Sequence, residues 1–135
     1  MARQKVWMKM PPKPVNPSPL EVSIITGACD ALIRGKIKPR CLPQIIETDL
    51  NYAIDIHGAW RAGRYRFMVR YRSGWPDTFG EEFDQPYARL DHMGPDNFDI
   101  YWRRHNGQWW PLHRGKTFVE AITILEEDGV LRPVC

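Results

Sequence analysis

Five arginines, Arg61, Arg64, Arg66, Arg70 and Arg72, fall between residues 61 and 72 of this chain. Guanidinium groups stay charged at any ordinary pH and present flat sets of donors that match phosphate and carboxylate. Arg64, Arg66, Arg70 and Arg72 interleave with Tyr65, Phe67, Val69 and Tyr71, so period-two spacing gathers the arginines on one face of a strand. Further on, Tyr101 and Trp110 can offer rings on which unpaired bases stack, with Arg103 beside them. These seven residues form the candidate binding set, and its ligand is nucleic acid or an acidic protein surface. The competing and commoner arrangement is a solvated outer face. There the arginines pair with Asp55 and Asp99 across strands and cover tryptophan rings, because a sheet covered on one side needs a polar second side. Arginine in place of lysine at every strand position favours recognition.

Glu47 and Asp49 are two carboxylates one residue apart at a strand entrance, a pattern that can hold Mg²⁺ for a nuclease, with His57 as helper. No Glu-x-Lys pair follows on the next strand and no third ligand is well spaced. An ion pair with Arg40 or an arginine of the sheet is therefore the preferred reading. His57, His92, His105 and His113 lack metal-ligand spacing, and Cys29, Cys41 and Cys135 form no Cys-x-x-Cys pair. Cys29 falls on or beside the buried side of a helix, where it packs. Glycines stand singly at turns, unlike a phosphate-binding loop. No catalytic residue, metal site or cofactor is assigned.

The elements that position these groups begin with a helix. Ser18 caps it, Pro19 opens it, Glu21 completes a capping box, and Ile24, Ala28 and Leu32 form its stripe, with Gly35 as the stop. Tyr52, Ile54 and Ile56 alternate with Ala53, Asp55 and His57 in a first strand, and Gly58 to Gly63 turns the chain into the arginine strand. A polar loop is expected from Ser73 to Pro86, then a strand at Tyr87–His92 and a turn at Gly94-Pro95-Asp96. Phe98–Arg104 and Gln108–His113 form a hairpin about Asn106-Gly107. A two-residue turn there sets Arg104 opposite Trp109, Arg103 opposite Trp110 and Trp102 opposite Pro111. That register places Trp102, Arg104 and Trp109 on the core side, and Tyr101, Arg103 and Trp110 on the other. A final helix is capped by Thr117 with Glu120 and ended by Gly129. The expected fold is α+β: an N-terminal helix, an antiparallel meander of about five strands, and a C-terminal helix, with both helices on one sheet face.

Arg40, Pro43, Glu47-x-Asp49, Tyr52, Ile54, Gly58, Trp75, Pro86-x-Ala88, Tyr101-Trp102-x-Arg104 and Trp109 occur in an order that resembles a family of small bacterial domains of unknown function. The resemblance covers about residues 38–128. It departs where Trp110 replaces an expected histidine, in the end after Asp128, and in the proline-rich start. It implies a fold and a bacterial or phage source, and no activity.

With 135 residues, 43% hydrophobic and 26% charged, the chain has the composition of one globular domain. Residues 1–17 read as a basic, proline-rich, extended arm, with Trp7, Met8 and Met10 resting on the domain at residues 18–135. The net charge of +3 is uneven: residues 1–46 hold eight Lys/Arg against Glu21 and Asp30. No leader or membrane span is legible, which points to a cytoplasmic protein with reduced thiols. Three functions follow in order: a non-enzymatic module for nucleic acid or an acidic protein surface, a protein-interaction component of a mobile element, and the Mg²⁺-dependent nuclease.

Overall fold

A computed structural model describes residues 13–133. Helix α1, Pro19–Leu32, starts where the Ser18 hydroxyl accepts the Glu21 amide, and Pro19 occupies the first turn, where its missing N–H is no loss. The expected stop at Gly35 is not there. Gly35 is absent from the residues with positive φ, and a glycine ends a helix by adopting that backbone. The chain instead passes through a wider π turn, Ile33–Ile37, into α2, Lys38–Cys41. Pro39 accounts for the widening: in an unbroken α-helix its ring would press on the Gly35 carbonyl, and it has no N–H to offer. The longer helical run also chooses its phase. Ile25, Cys29, Leu32, Ile33 and Ile37 are buried, whereas Ile24 of the expected stripe is exposed, as is Leu20 one turn earlier.

Five strands follow as a meander whose spatial order equals chain order: β1 Asn51–Arg61, β2 Arg64–Ser73, β3 Glu82–Gly94, β4 Asn97–Arg103 and β5 Trp109–Lys116. The β1–β2 turn is Ala62–Gly63, both at positive φ, as a tight hairpin requires. It occupies the end of the expected Gly58–Gly63 turn, and β1 continues through Gly58 to Arg61. An extra residue, Ile54, bulges from β1, since Ala53 pairs with Tyr71 and Asp55 with Arg70. β3 starts at Glu82, inside the segment expected to be loop. Pro86 is accommodated beside a second irregularity, where Tyr87 is the extra residue.

Helix α3, Phe118–Glu127, has the expected Thr117–Glu120 capping box. α1 packs on β1, α3 on β4, and the two helices touch, so both cover one sheet face. Beneath them lie Tyr65, Phe67, Val69, Ala88, Leu90, Phe98 and Ile100, all almost fully buried. The Tyr65 ring lies flat over β1 at Gly58, where a Cβ would overlap it. From there its hydroxyl donates to Asp30 of α1. Burial, then that hydrogen bond and the Asp30 charge, push the Tyr65 phenol far above its usual range.

The last part of the expected arm lies on the sheet: the Val15 amide donates to the His92 carbonyl at 2.7 Å, and His92 Nδ1 lies 2.6 Å from the Val15 carbonyl. The rest of that arm, with Trp7, Met8 and Met10, lies outside the described residues, as does Cys135. No described helix is long and apolar enough to cross a membrane.

Candidate functional site

The sheet face away from the helices carries the arginines, as the alternation requires, and the register splits it into two halves. In the half distant from the β1–β2 turn, each arginine faces an acid on β3: Arg70 opposite Asp84 and Arg72 opposite Glu82. Arg70 donates to Asp84 through Nε at 2.9 Å and Nη2 at 3.2 Å, and His57 Nε2 lies 2.9 Å from the same carboxylate. The Arg70 hydrogen bond, followed by that from His57, holds the Asp84 carboxyl below its usual range. Arg72 reaches Glu82 at 2.8 Å. The expected partners were Asp55 and Asp99, and both are engaged elsewhere. Asp55 binds Lys38 at 2.7 Å, while Asp99 accepts the Gly115 amide at 3.0 Å and lies 3.8 Å from Arg114. The acids that do pair were hidden in the supposed loop.

The half nearer the turn is different. Arg89, only 8% exposed, donates to both oxygens of Asp91 at 2.7 and 3.0 Å. Its guanidinium lies 4.2 Å from the Tyr101 ring centre and 4.9 Å from that of Trp109. Arg64 adds a 3.4 Å contact to the same Asp91. Arg66 stands directly opposite Arg89, and Arg61 opposite Arg64. Among the described residues neither Arg61 nor Arg66 makes an ion pair. Burial, then the charges of Arg89 and Arg64, lower the pKa of Arg66 and outweigh the raising charge of Asp91, as for a cation set mostly among cations.

The β4–β5 hairpin corrects the expected register by one residue. Arg103 pairs with Trp109, Trp102 with Trp110, and Tyr101 with Pro111. The Gly107 amide donates to the Arg104 carbonyl and the Arg104 amide to that of Gln108, with Gly107 at φ 82°. The loop is thus a type I turn plus one left-handed residue, one longer than a bare Asn-Gly turn. A one-residue slip exchanges faces. Trp109 therefore joins Tyr101 on the arginine face, and Trp110 leaves it for the Trp102 side, half exposed under Arg104 at 5.3 Å.

Of the seven sequence candidates, Arg64, Arg66 and Tyr101 converge around Arg89. Arg70 and Arg72 are neutralised by acids, and Trp110 lies on the other face. Arg103 holds an end position opposite Trp109. The residue that sequence reasoning missed is Arg89, although Arg89-x-Asp91 already showed an opposite-charge pair on one strand face.

Glu47 and Asp49 lie in the exposed connector before β1, and Glu47 accepts the Tyr52 hydroxyl at 3.3 Å. The expected Arg40 partner goes to α3 instead, where it reaches the Glu126 carbonyl and carboxylate at 3.2 and 3.5 Å. Among the described residues no three His, Cys, Asp or Glu side chains are grouped to hold a metal ion. Cys29 is fully buried, and burial followed by the nearby Asp30 charge pushes its thiol far up, so it packs.

The model of a family described as a domain of unknown function (DUF3024) matches residues 17–132, which takes in helix α1 as well as the sheet and α3. No curated protein and no solved structure matches the chain.

Proposed function

The chain belongs to the DUF3024 family of domains of unknown function, a membership that carries no activity with it, and from the geometry we propose a non-enzymatic module that binds nucleic acid through backbone phosphates. The supporting observation is the charge imbalance beside the β1–β2 turn. Among the described residues, Arg61, Arg64, Arg66, Arg89 and Arg114 share that region of the face with two acids, Asp91 and Asp99. Like charges directly opposed across strands destabilise a sheet, and a bound phosphate relieves the Arg66–Arg89 opposition. The other half of the face, with its arginines paired, adds little attraction.

The aromatic rings favour backbone contact over base stacking. Tyr101 and Trp109 are already occupied by the Arg89 guanidinium, so a base would have to displace a buried ion pair to stack there. Duplex and single strand should therefore bind alike. A fluorescence-anisotropy titration of short labelled duplexes and single strands over a salt series tests this. With Arg61, Arg64 and Arg66 each neutralising a phosphate, the log–log salt slope on duplex should be about −3, and Arg66→Ala should make it shallower by about 1. Absence of binding at low salt removes nucleic acid. Salt-dependent binding to acidic proteins alone would transfer the same surface to a protein partner.

A further inference from the structure

The helix-side face of the sheet is longer than the helices that cover it. Beyond α3, the far ends of β2, β3 and β4 leave a cleft of about 490 Å³, within the size range of small-molecule sites. Its floor and walls include Tyr71, Phe83, Tyr87 and Trp102. Tyr71 and Phe83 stack at 5.5 Å with an interplanar angle of 25°. Above this aromatic floor, the rim carries Arg104, His105 and Arg132, and among the described residues no Asp or Glu lines the cleft. The cleft opens on the face opposite to the Arg64–Arg66 cluster, so it is independent of the nucleic-acid reading above.

We propose that this cleft binds a small flat-ringed anion, its ring laid on the Tyr71, Phe83 and Trp102 side chains and its phosphate or carboxylate held by Arg104 and Arg132. Ring and anion are both needed. An apolar ring alone leaves the guanidinium rim unanswered, and a bare anion leaves the aromatic floor wet.

Isothermal titration of the full chain with four probes tests the pairing. AMP joins a ring to a phosphate, indole-3-acetate joins a ring to a carboxylate, adenosine supplies the ring alone and ribose 5-phosphate the anion alone. AMP or indole-3-acetate should bind at least about tenfold more tightly than either single-feature probe, and which of the two wins identifies the anion. Arg132→Ala, on an exposed side chain, and Phe83→Ala, at a partly exposed position, should each weaken that binding about five- to tenfold. Arg66→Ala, on the opposite face, should leave it unchanged. The proposal is overturned if neither ring-bearing anion binds, or if adenosine binds as well as AMP. It is equally overturned if Arg66→Ala, and not Arg132→Ala, abolishes binding. That last result would assign the anion to the outer face and leave the nucleic-acid reading standing.

Discussion

Replacing Gly58 by alanine tests how the sheet is fastened to its first helix. The added Cβ would sit against the Tyr65 ring, well inside the 3.0 Å that real Cβ atoms keep. That ring is fully buried and in edge contact with Phe67 at 4.8 Å, so it cannot swing into solvent. Forcing it aside should cost about 1–3 kcal/mol in overpacking. The displaced hydroxyl also loses Asp30, a hydrogen bond to a charged acceptor worth about 1.5–3 kcal/mol. A total of about 4 kcal/mol is a large part of the stability of such a domain. It lowers the urea midpoint by about 2 M if the denaturant slope is about 2 kcal/mol per M. Tyr65→Phe alone should show only the hydrogen-bond loss, and in that background Gly58→Ala should show only the overpacking loss. The double-mutant cycle then gives a coupling of about 1.5–3 kcal/mol. A midpoint shift below about 0.5 M, or strict additivity of the two changes, would refute the linkage between Gly58, Tyr65 and Asp30.

The buried pair on the arginine face should behave differently from the exposed ones. Asp91→Ala strands the Arg89 guanidinium and should cost about 3–5 kcal/mol in chemical denaturation, with Arg64 losing its contact to Asp91 as well. Asp84 and Asp128 carry carboxyls lowered chiefly by hydrogen bonds from Arg70 and His113 respectively. A depressed folded pKa means that their contribution is complete above the unfolded value of about 3.9 and is lost as pH falls through the lower folded value. Thermal midpoints followed from pH 6 to 2.5 should therefore drop below about pH 4, and Asp84→Asn should lower the plateau and flatten that drop.

Much of this molecule was legible in its residues. The Tyr65–Tyr71 alternation located β2 and both of its faces, because one buried and one polar side leave a period-two signature that no helix shares. The two capped helix starts were equally plain, since Ser18 and Thr117 act on amides three residues away. What escaped depends on partners distant in sequence. Glu82 and Asp84 look like loop residues beside Pro86, and only their alignment with Arg72 and Arg70 makes them strand. The Asn106-Gly107 signal announced a hairpin correctly and its length wrongly, and that single residue decided which tryptophan accompanies Tyr101. The cleft had no sequence signature, because it exists only where α3 ends before the strands do.

The meander has a further consequence for how the chain reaches this shape. Every strand's sheet neighbour is also its neighbour in the chain, so each ladder zips from a short loop and little entropy is spent on closing it. The long-range step is the meeting of α1 with α3, which joins the two ends of the domain over an assembled sheet. Docking of those helices should accordingly limit the folding rate, with the hairpins forming earlier as partly ordered intermediates in a largely local search.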